Sequence, residues 1–185
     1  MTHEEEERLI RKVKSGNVAA YAPLVEHYGR AIFALVLRIV GCREEAEEVA
    51  QDVFLKAFRS LARFDGRSRF STYLYRIACN TALSAVRSRK QPATLFDERR
   101  VERISDPAAD EETIELDALS EAQSEALWRA LDRLAPEERA LVQLHYYENL
   151  PLAECGEALH LTENNAKVRL HRIRKKLAVW ILEES

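Results

Sequence analysis

Apolar residues return every three or four positions along most of the first ninety residues, the spacing that gathers them on one side of an α-helix. The longest run is Glu44 to Arg63, where Ala46, Val49, Ala50, Val53, Phe54, Ala57, Phe58 and Leu61 share a face. That face is a core, and the opposite one carries Glu48, Gln51, Asp52, Leu55 and Arg59. Upstream, Glu5 to Lys14 reads as a short amphipathic helix stopped by Ser15 and Gly16. Asn17 is placed to cap a second helical stretch running through Leu37 with a break near Gly29. After the turn-rich Asp65 to Ser68, another helix starts near Ser71 with Leu74, Ile77, Ala78, Thr81 and Ala85 as its buried stripe. It dissolves into the basic Arg87 to Lys90 before Pro92, and no stretch shows a convincing strand alternation.

From residue 93 to 120 the periodicity is lost among acids and Pro107, as expected of a flexible acidic linker. Helices resume at Glu121: Leu127, Trp128, Leu131 and Leu134 make one face, Pro136 suits a first helical turn, and Leu141, Val142, Leu144 and Tyr146 continue a second helix. Leu152 to Leu159 and Glu163 to Leu182 follow, separated by His160, Leu161 and Thr162, with Thr162 as N-cap. The expectation is an all-α fold of two small helical domains, residues 1–92 and 121–185, joined by the acidic linker 93–120.

Composition narrows the class. No stretch approaches the roughly 20 apolar residues that span a bilayer, and the acidic start, Met1 to Glu7, differs from a signal peptide. A cytoplasmic protein without membrane insertion is expected. Cys42, Cys79 and Cys155 are odd in number, far apart and without a CxxC pair or zinc-finger histidines, so neither a disulfide framework nor a metal is assigned. The net charge of -3 hides a segregation: residues 1–92 carry 16 basic and 11 acidic groups, 93–120 carry 3 and 9, and 121–185 carry 9 and 11. Arg59 to Lys90 holds eight basic residues against Asp65 alone, and Lys167 to Lys176 holds six against none, which suggests a polyanion met at two places.

Two segments give that polyanion a chemistry. A short helix, a three-residue turn and a longer basic helix make a helix-turn-helix pattern, whose second helix suits the major groove. On it Lys167, His171 and Arg174 share a stripe, Arg169 and Arg172 flank it, and Ala166, Leu170, Ile173 and Leu177 face the core. Arginine and lysine pair with guanine edges or phosphates. Between Phe64 and Arg89, Phe64, Phe70, Tyr73 and Tyr75 interleave with Arg63, Arg67, Arg69 and Arg76, a mixture suited to unpaired bases and their phosphates. Phe64 and Phe70 read as core packing. Tyr73, Arg76, Asn80, Ser84 and Arg87 read as an outward stripe in which Tyr73 stacks and the Asn80 amide bonds base edges. Leu55, alone among charges, fits a small protein contact as well as an ordinary exposed leucine.

The blocks Ala46 to Phe54 and Phe64 to Asn80 resemble the second domain of extracytoplasmic-function sigma factors of bacterial RNA polymerase. Leu134 to Arg139 and Thr162 to Leu177 are similar to their fourth domain. The resemblance implies an initiation factor that binds core polymerase, at the clamp of the largest subunit and the flap, and directs it to promoter DNA. It places Glu48, Gln51, Asp52 and Leu55 on the polymerase. Asp65, Arg67, Arg69, Tyr73, Arg76 and Asn80 fall to the minus-ten element, which they read and help melt, the Asp65 to Arg69 turn helping hold an extruded base. Lys167, Val168, Arg169, His171, Arg172 and Arg174 fall to the minus-thirty-five element. An anti-sigma factor is implied as a further partner, and the free chain is expected to be a monomer.

The chain departs from the family at Tyr73, where Trp is commoner, and at Cys155, Gly156, His160, Asn164, Asn165 and Val168. No catalytic residue or cofactor is assigned: carboxylate pairs, a Ser/His/Asp set and a phosphate-cradling loop are not evident, and the five histidines are dispersed. An autonomous helix-turn-helix regulator is the rival reading, and it leaves the aromatic and basic block unused. The acidic linker and closure of one domain on the other are both expected to mask the DNA surfaces.

Overall fold

A reciprocal cap starts α1 (His3–Lys14): the Glu5 amide donates to the Thr2 hydroxyl, and the Thr2 amide donates to the Glu5 carboxylate. This computed structural model describes residues 1–90 and 121–183; the expected acidic linker, residues 93–120, lies outside the described residues. After α1 the chain makes a single 3-10 turn, Val18–Tyr21, and enters α2 (Ala22–Val40). The Asn17 side chain makes no capping bond; Pro23 in the first turn does the initiating instead. Nor does α2 break at Gly29. One glycine costs an interior helix about 1 kcal/mol, and the buried stripe Leu24, Ile32, Leu35, Val36 and Ile39 outweighs it. Gly41, at φ 75°, ends α2 in a left-handed cap and donates to the Leu37 carbonyl at 2.8 Å.

α3 (Arg43–Ser60) packs on α2 and continues into a 3-10 turn, Leu61–Arg63. α4 (Phe70–Lys90) packs on both and stays helical through the basic run where the sequence suggested fraying. Arg89 explains part of that: its guanidinium donates to the Val40 carbonyl at 2.8 Å and pairs with Glu45 at 3.0 Å, satisfying the C-terminal end of α2.

The second unit comprises α5 (Glu121–Arg133), α6 (Pro136–Val142), one π-helical turn over Gln143–Tyr147, α7 (Leu152–Leu159) and α8 (Glu163–Glu183). α7 and α8 form the expected helix-turn-helix. The turn needs two unusual backbone features. His160 adopts φ 57°, and Gly156 lets the chain pass so close that a Cβ there would lie 2.7 Å from the Leu161 carbonyl oxygen. Thr162 caps α8, its hydroxyl accepting from the Asn165 amide at 3.2 Å.

The two units are docked. α4 packs on α6 and α7, and α2 packs on α6. Thr72, Tyr75, Cys79, Ala82, Leu83 and Val86 form a second buried stripe on α4, on a different side from Leu74, Ala78 and Thr81. One apolar cluster therefore runs from Ile10 in α1 to Ile173 in α8. Burial in this layer pushes the Cys79 and Cys155 thiols up to about 12. At its edge, the Arg38 guanidinium of α2 lies 4.1 Å from the Trp128 ring centroid and 6.0 Å from that of Tyr147.

Candidate nucleic-acid interface

The polar stripe of α3 is where its helical spacing places it. Ala46, Val49, Ala50, Val53 and Ala57 are buried, so Glu48, Gln51, Asp52 and Leu55 emerge on the opposite side, all exposed. Leu55 is 52% exposed, a branched apolar side chain with Gln51 and Asp52 one turn before it. Asp52 is held by Lys56 at 3.1 Å in an ion pair open to water.

The loop before α4 is built around Asp65. Its carboxylate accepts from the Arg67 amide at 3.1 Å and pairs with the Arg67 guanidinium at 3.0 Å, while Gly66 takes φ 76° to complete the turn. Lys14 anchors the loop from α1 by donating to the Phe64 carbonyl, with its ammonium over the Phe64 ring. The loop and α1 thus enclose a groove lined by His3, Glu7, Arg11, Asp65, Arg67 and Arg69. The Arg67 side chain is 89% exposed at its rim, and Arg69 is also exposed.

Tyr73 departs from expectation. It is 7% exposed, its ring 4.9 Å from Phe64 and 6.0 Å from Phe70, with its hydroxyl on Ser60. An outward helical position does not keep a side chain exposed when the preceding loop folds back over it. Tyr73 is therefore a floor beneath the loop, whereas Arg76, Asn80, Ser84 and Arg87 do form the outer stripe of α4. Arg76 lies 5.6 Å from the Tyr73 ring centroid, linking stripe and floor. Lys56, Arg59, Ser60, Asn80 and Ser84 line a shallow, basic furrow along the far flank of that stripe.

On α8, Ala166, Leu170 and Ile173 are buried and turn Lys167 and Arg169 to solvent, with Val168, His171 and Arg172 half-buried beside them. Arg174 is drawn inward: it donates to the Tyr146 hydroxyl at 2.6 Å and lies over that ring. Lys176 is likewise tied to Glu138 at 2.6 Å.

The docking places residues together that the sequence reading kept apart. Asn80 meets the His160 imidazole at 3.1 Å, and Arg76 faces Glu157 at 3.7 Å. Thr72 donates to Glu154 at 2.6 Å, Tyr75 to Glu148 at 2.8 Å, and Arg87 faces Glu137 at 3.6 Å. The available signal was the second apolar stripe on α4, which needs a cover that its own unit does not supply.

Two units, one presenting an aromatic and basic loop and helix and the other a helix-turn-helix, define a two-part DNA-binding factor. Residues 24–91 match the family model of sigma-70 region 2, and residues 124–177 match that of sigma-70 region 4. The chain is 33% identical over 172 residues to the ECF RNA polymerase sigma factor SigW of Bacillus subtilis (strain 168), covering 91% of this chain and 92% of that one. It is 28% identical over 173 residues to the ECF RNA polymerase sigma-E factor of Escherichia coli (strain K12), covering 91% and 90%. Among solved structures, CnrH in complex with the cytosolic domain of CnrY shares the fold at a TM-score of 0.70 and 22% identity, over 98% of this chain and 99% of that one. The sigma factor RpoE in complex with the anti-sigma factor NepR from Bartonella quintana does so at 0.62 and 18%, over 89% and 98%.

The chain belongs to the extracytoplasmic-function sigma factors. It is a transcription initiation factor, and the autonomous regulator is not favoured. Among the described residues no helix is long and apolar enough to cross a membrane.

Proposed function

We propose that this sigma factor docks on the clamp of core RNA polymerase through Glu48, Gln51, Asp52 and Leu55, and that its fourth-domain unit meets the flap. The observation that carries the reading is the state of α3: with the two units closed on each other, this stripe stays wholly open to solvent, so polymerase can engage the closed molecule first. Arg76 and Asn80 then read the minus-ten element from the outer stripe of α4. The loop of Asp65, Arg67 and Arg69 holds an extruded base, with Tyr73 beneath as support. Lys167, Val168, Arg169, His171 and Arg172 read the minus-thirty-five element, and Arg174, tethered to Tyr146, serves a phosphate. The chain itself catalyses nothing, acts in the cytoplasm beside polymerase, and answers to an anti-sigma factor.

Co-elution with core polymerase tests the reading, followed by transcription from the region upstream of the chain's own coding sequence. Asp52→Lys breaks only a water-exposed pair with Lys56, a change of under about 1 kcal/mol in stability. It is expected to abolish co-elution while leaving the helical circular dichroism and melting temperature intact. Wild-type co-elution of the variant refutes the patch.

A further inference from the structure

We propose that α1 supplies a second wall to the base-holding loop, and that the buried Glu6 carboxylate on this wall selects the extruded base by its exocyclic amine. This rests on the reading of the Asp65 to Arg69 loop as the holder of that base. The match to sigma-70 region 2 begins at residue 24, so α1 stands outside it. Yet α1 and the loop line one groove and are tied together by Lys14, which donates to the Phe64 carbonyl. Charge in the groove is sorted by depth. Arg11, Lys14, Arg67 and Arg69 are exposed, where they suit phosphates. Ile10 and Phe70 are buried and give a base an apolar bed, and Glu6, only 7% exposed, lines the groove with them.

A glutamate so buried is rare unless it is paired. Glu6 Oε1 accepts from the Tyr28 hydroxyl of α2. Burial, and then the Glu6 bond, push the Tyr28 phenol up, so it stays a donor. Oε2 lies 3.6 Å from Nδ1 of His3, beyond hydrogen-bond distance, and the His3 side chain is 70% exposed. One oxygen is thus committed to the protein, and the other remains for a ligand in the groove. The helix dipole does not account for Glu6, because Glu4 and Glu5 share the first turn and serve that purpose from water. A carboxylate, which only accepts, sorts the four bases into two classes. At matching edge positions cytosine presents its N4 amine and adenine its N6 amine, whereas thymine presents O4 and guanine O6. Glu6 therefore takes cytosine or adenine and repels thymine and guanine.

Glu6→Gln separates selection from support. The amide keeps an acceptor for the Tyr28 hydroxyl, but its second polar group is a donor, which suits the carbonyl of thymine or guanine. Full-length wild type and variant, each as holoenzyme with core polymerase, select from bubble templates randomised over the unpaired minus-ten region. Wild type is expected to exclude thymine and guanine at one position, and the enrichment of cytosine or adenine there shows which amine it takes. Glu6→Gln is expected to raise thymine or guanine at that position, and at no other, by about fivefold or more. The amine is then removed from the favoured base, with 2-pyrimidinone for cytosine or purine for adenine. Its loss is expected to cost wild-type holoenzyme about tenfold in affinity and the variant less than about twofold. Tyr28→Phe takes away the supporting bond and leaves the carboxylate, so it should lower the melting temperature of the free chain yet still exclude thymine and guanine.

The same base preference in Glu6→Gln and wild type overturns the proposal. So does a uniform fall in affinity over every sequence, which is what lost support for α1 would give. Wild-type holoenzyme that binds the amine-free base as tightly as its parent overturns it too. Failure of the loop reading looks different: Arg67→Ala holoenzyme would then open promoter DNA and choose its bases as wild type does.

Discussion

Replacing Tyr73 separates a structural floor from a stacking platform. The ring is 93% buried, contacts Phe64 and Phe70, and supports the Arg76 guanidinium, while its hydroxyl meets Ser60. Truncating a buried aromatic to alanine costs about 3 to 5 kcal/mol, cavity included. Tyr73→Phe keeps the ring and loses one neutral hydrogen bond, about 0.5 to 1.5 kcal/mol. The low end applies, because Ser60 keeps the Lys56 carbonyl as acceptor at 2.7 Å. At about 2 to 4 °C per kcal/mol for a chain of this size, Tyr73→Ala should lower the melting temperature by about 6 to 20 °C, and Tyr73→Phe by only a few. Circular dichroism melting gives both values. Permanganate footprinting of holoenzyme on promoter DNA then completes the test: Tyr73→Phe should open the minus-ten region normally, and Tyr73→Ala should fail because the Asp65 to Arg69 loop loses its base. A Tyr73→Ala protein that melts like wild type and still fails to open DNA would show that the ring acts on the bases directly, and the floor assignment would be wrong.

Other perturbations test other parts of the molecule. Gly156→Ala drives a Cβ to 2.7 Å from the Leu161 carbonyl oxygen, so a net loss of about 1 to 3 kcal/mol in urea unfolding is expected despite alanine's better helix propensity; an unchanged midpoint refutes the close approach. Arg172→Ala should change the preferred base at one promoter position in a site-selection experiment. Arg174→Ala should weaken all sequences alike and lower the salt slope by about one, and a slope equal to wild type would show that Arg174 makes no phosphate contact. The Cys79 thiol is pushed up to about 12 by burial, so the folded state keeps a proton that the unfolded state gives up near pH 9. Its contribution is complete below pH 9 and is lost as pH rises toward 12, by up to about 1.4 kcal/mol per pH unit, relative to a Cys79→Ala reference measured alongside.

The helices were legible because their signal is local. The α3 stripe, Pro136 in a first turn and Thr162 as a cap each depend on residues within one or two turns. Gly29 and Asn17 misled for the same reason: a glycine suggests a break and an asparagine a cap, but the packing of Leu24, Ile32 and Leu35 decides. At the site, the exposure of Glu48, Gln51, Asp52 and Leu55 followed from helix phase alone. The burial of Tyr73 did not, because it depends on how the six-residue loop 64–69 returns over its own helix. Least legible were Glu137, Glu148, Glu154 and Glu157, which look like ordinary solvated acids until α6 and α7 are seen against α4. The second apolar stripe on α4 announced a missing cover, and only the tertiary fold showed that the cover brings its own charges.

The contact between Arg38 and Trp128 equips the molecule with an optical gauge of its own state. The chain has two tryptophans. Trp128 lies under an arginine from the other unit, while Trp180 lies under Arg133 of its own, 4.5 Å from the ring centroid. Separation of the units strips the cation from one indole and leaves the other as it was. With Trp180 changed to phenylalanine, emission excited near the red edge of indole absorption reports that single stacked pair. Fluorine-labelled tryptophan carries the same information into the polymerase complex, where fluorine resonances arise from this chain alone, so one resonance can time the parting of the units against the arrival of polymerase and of DNA.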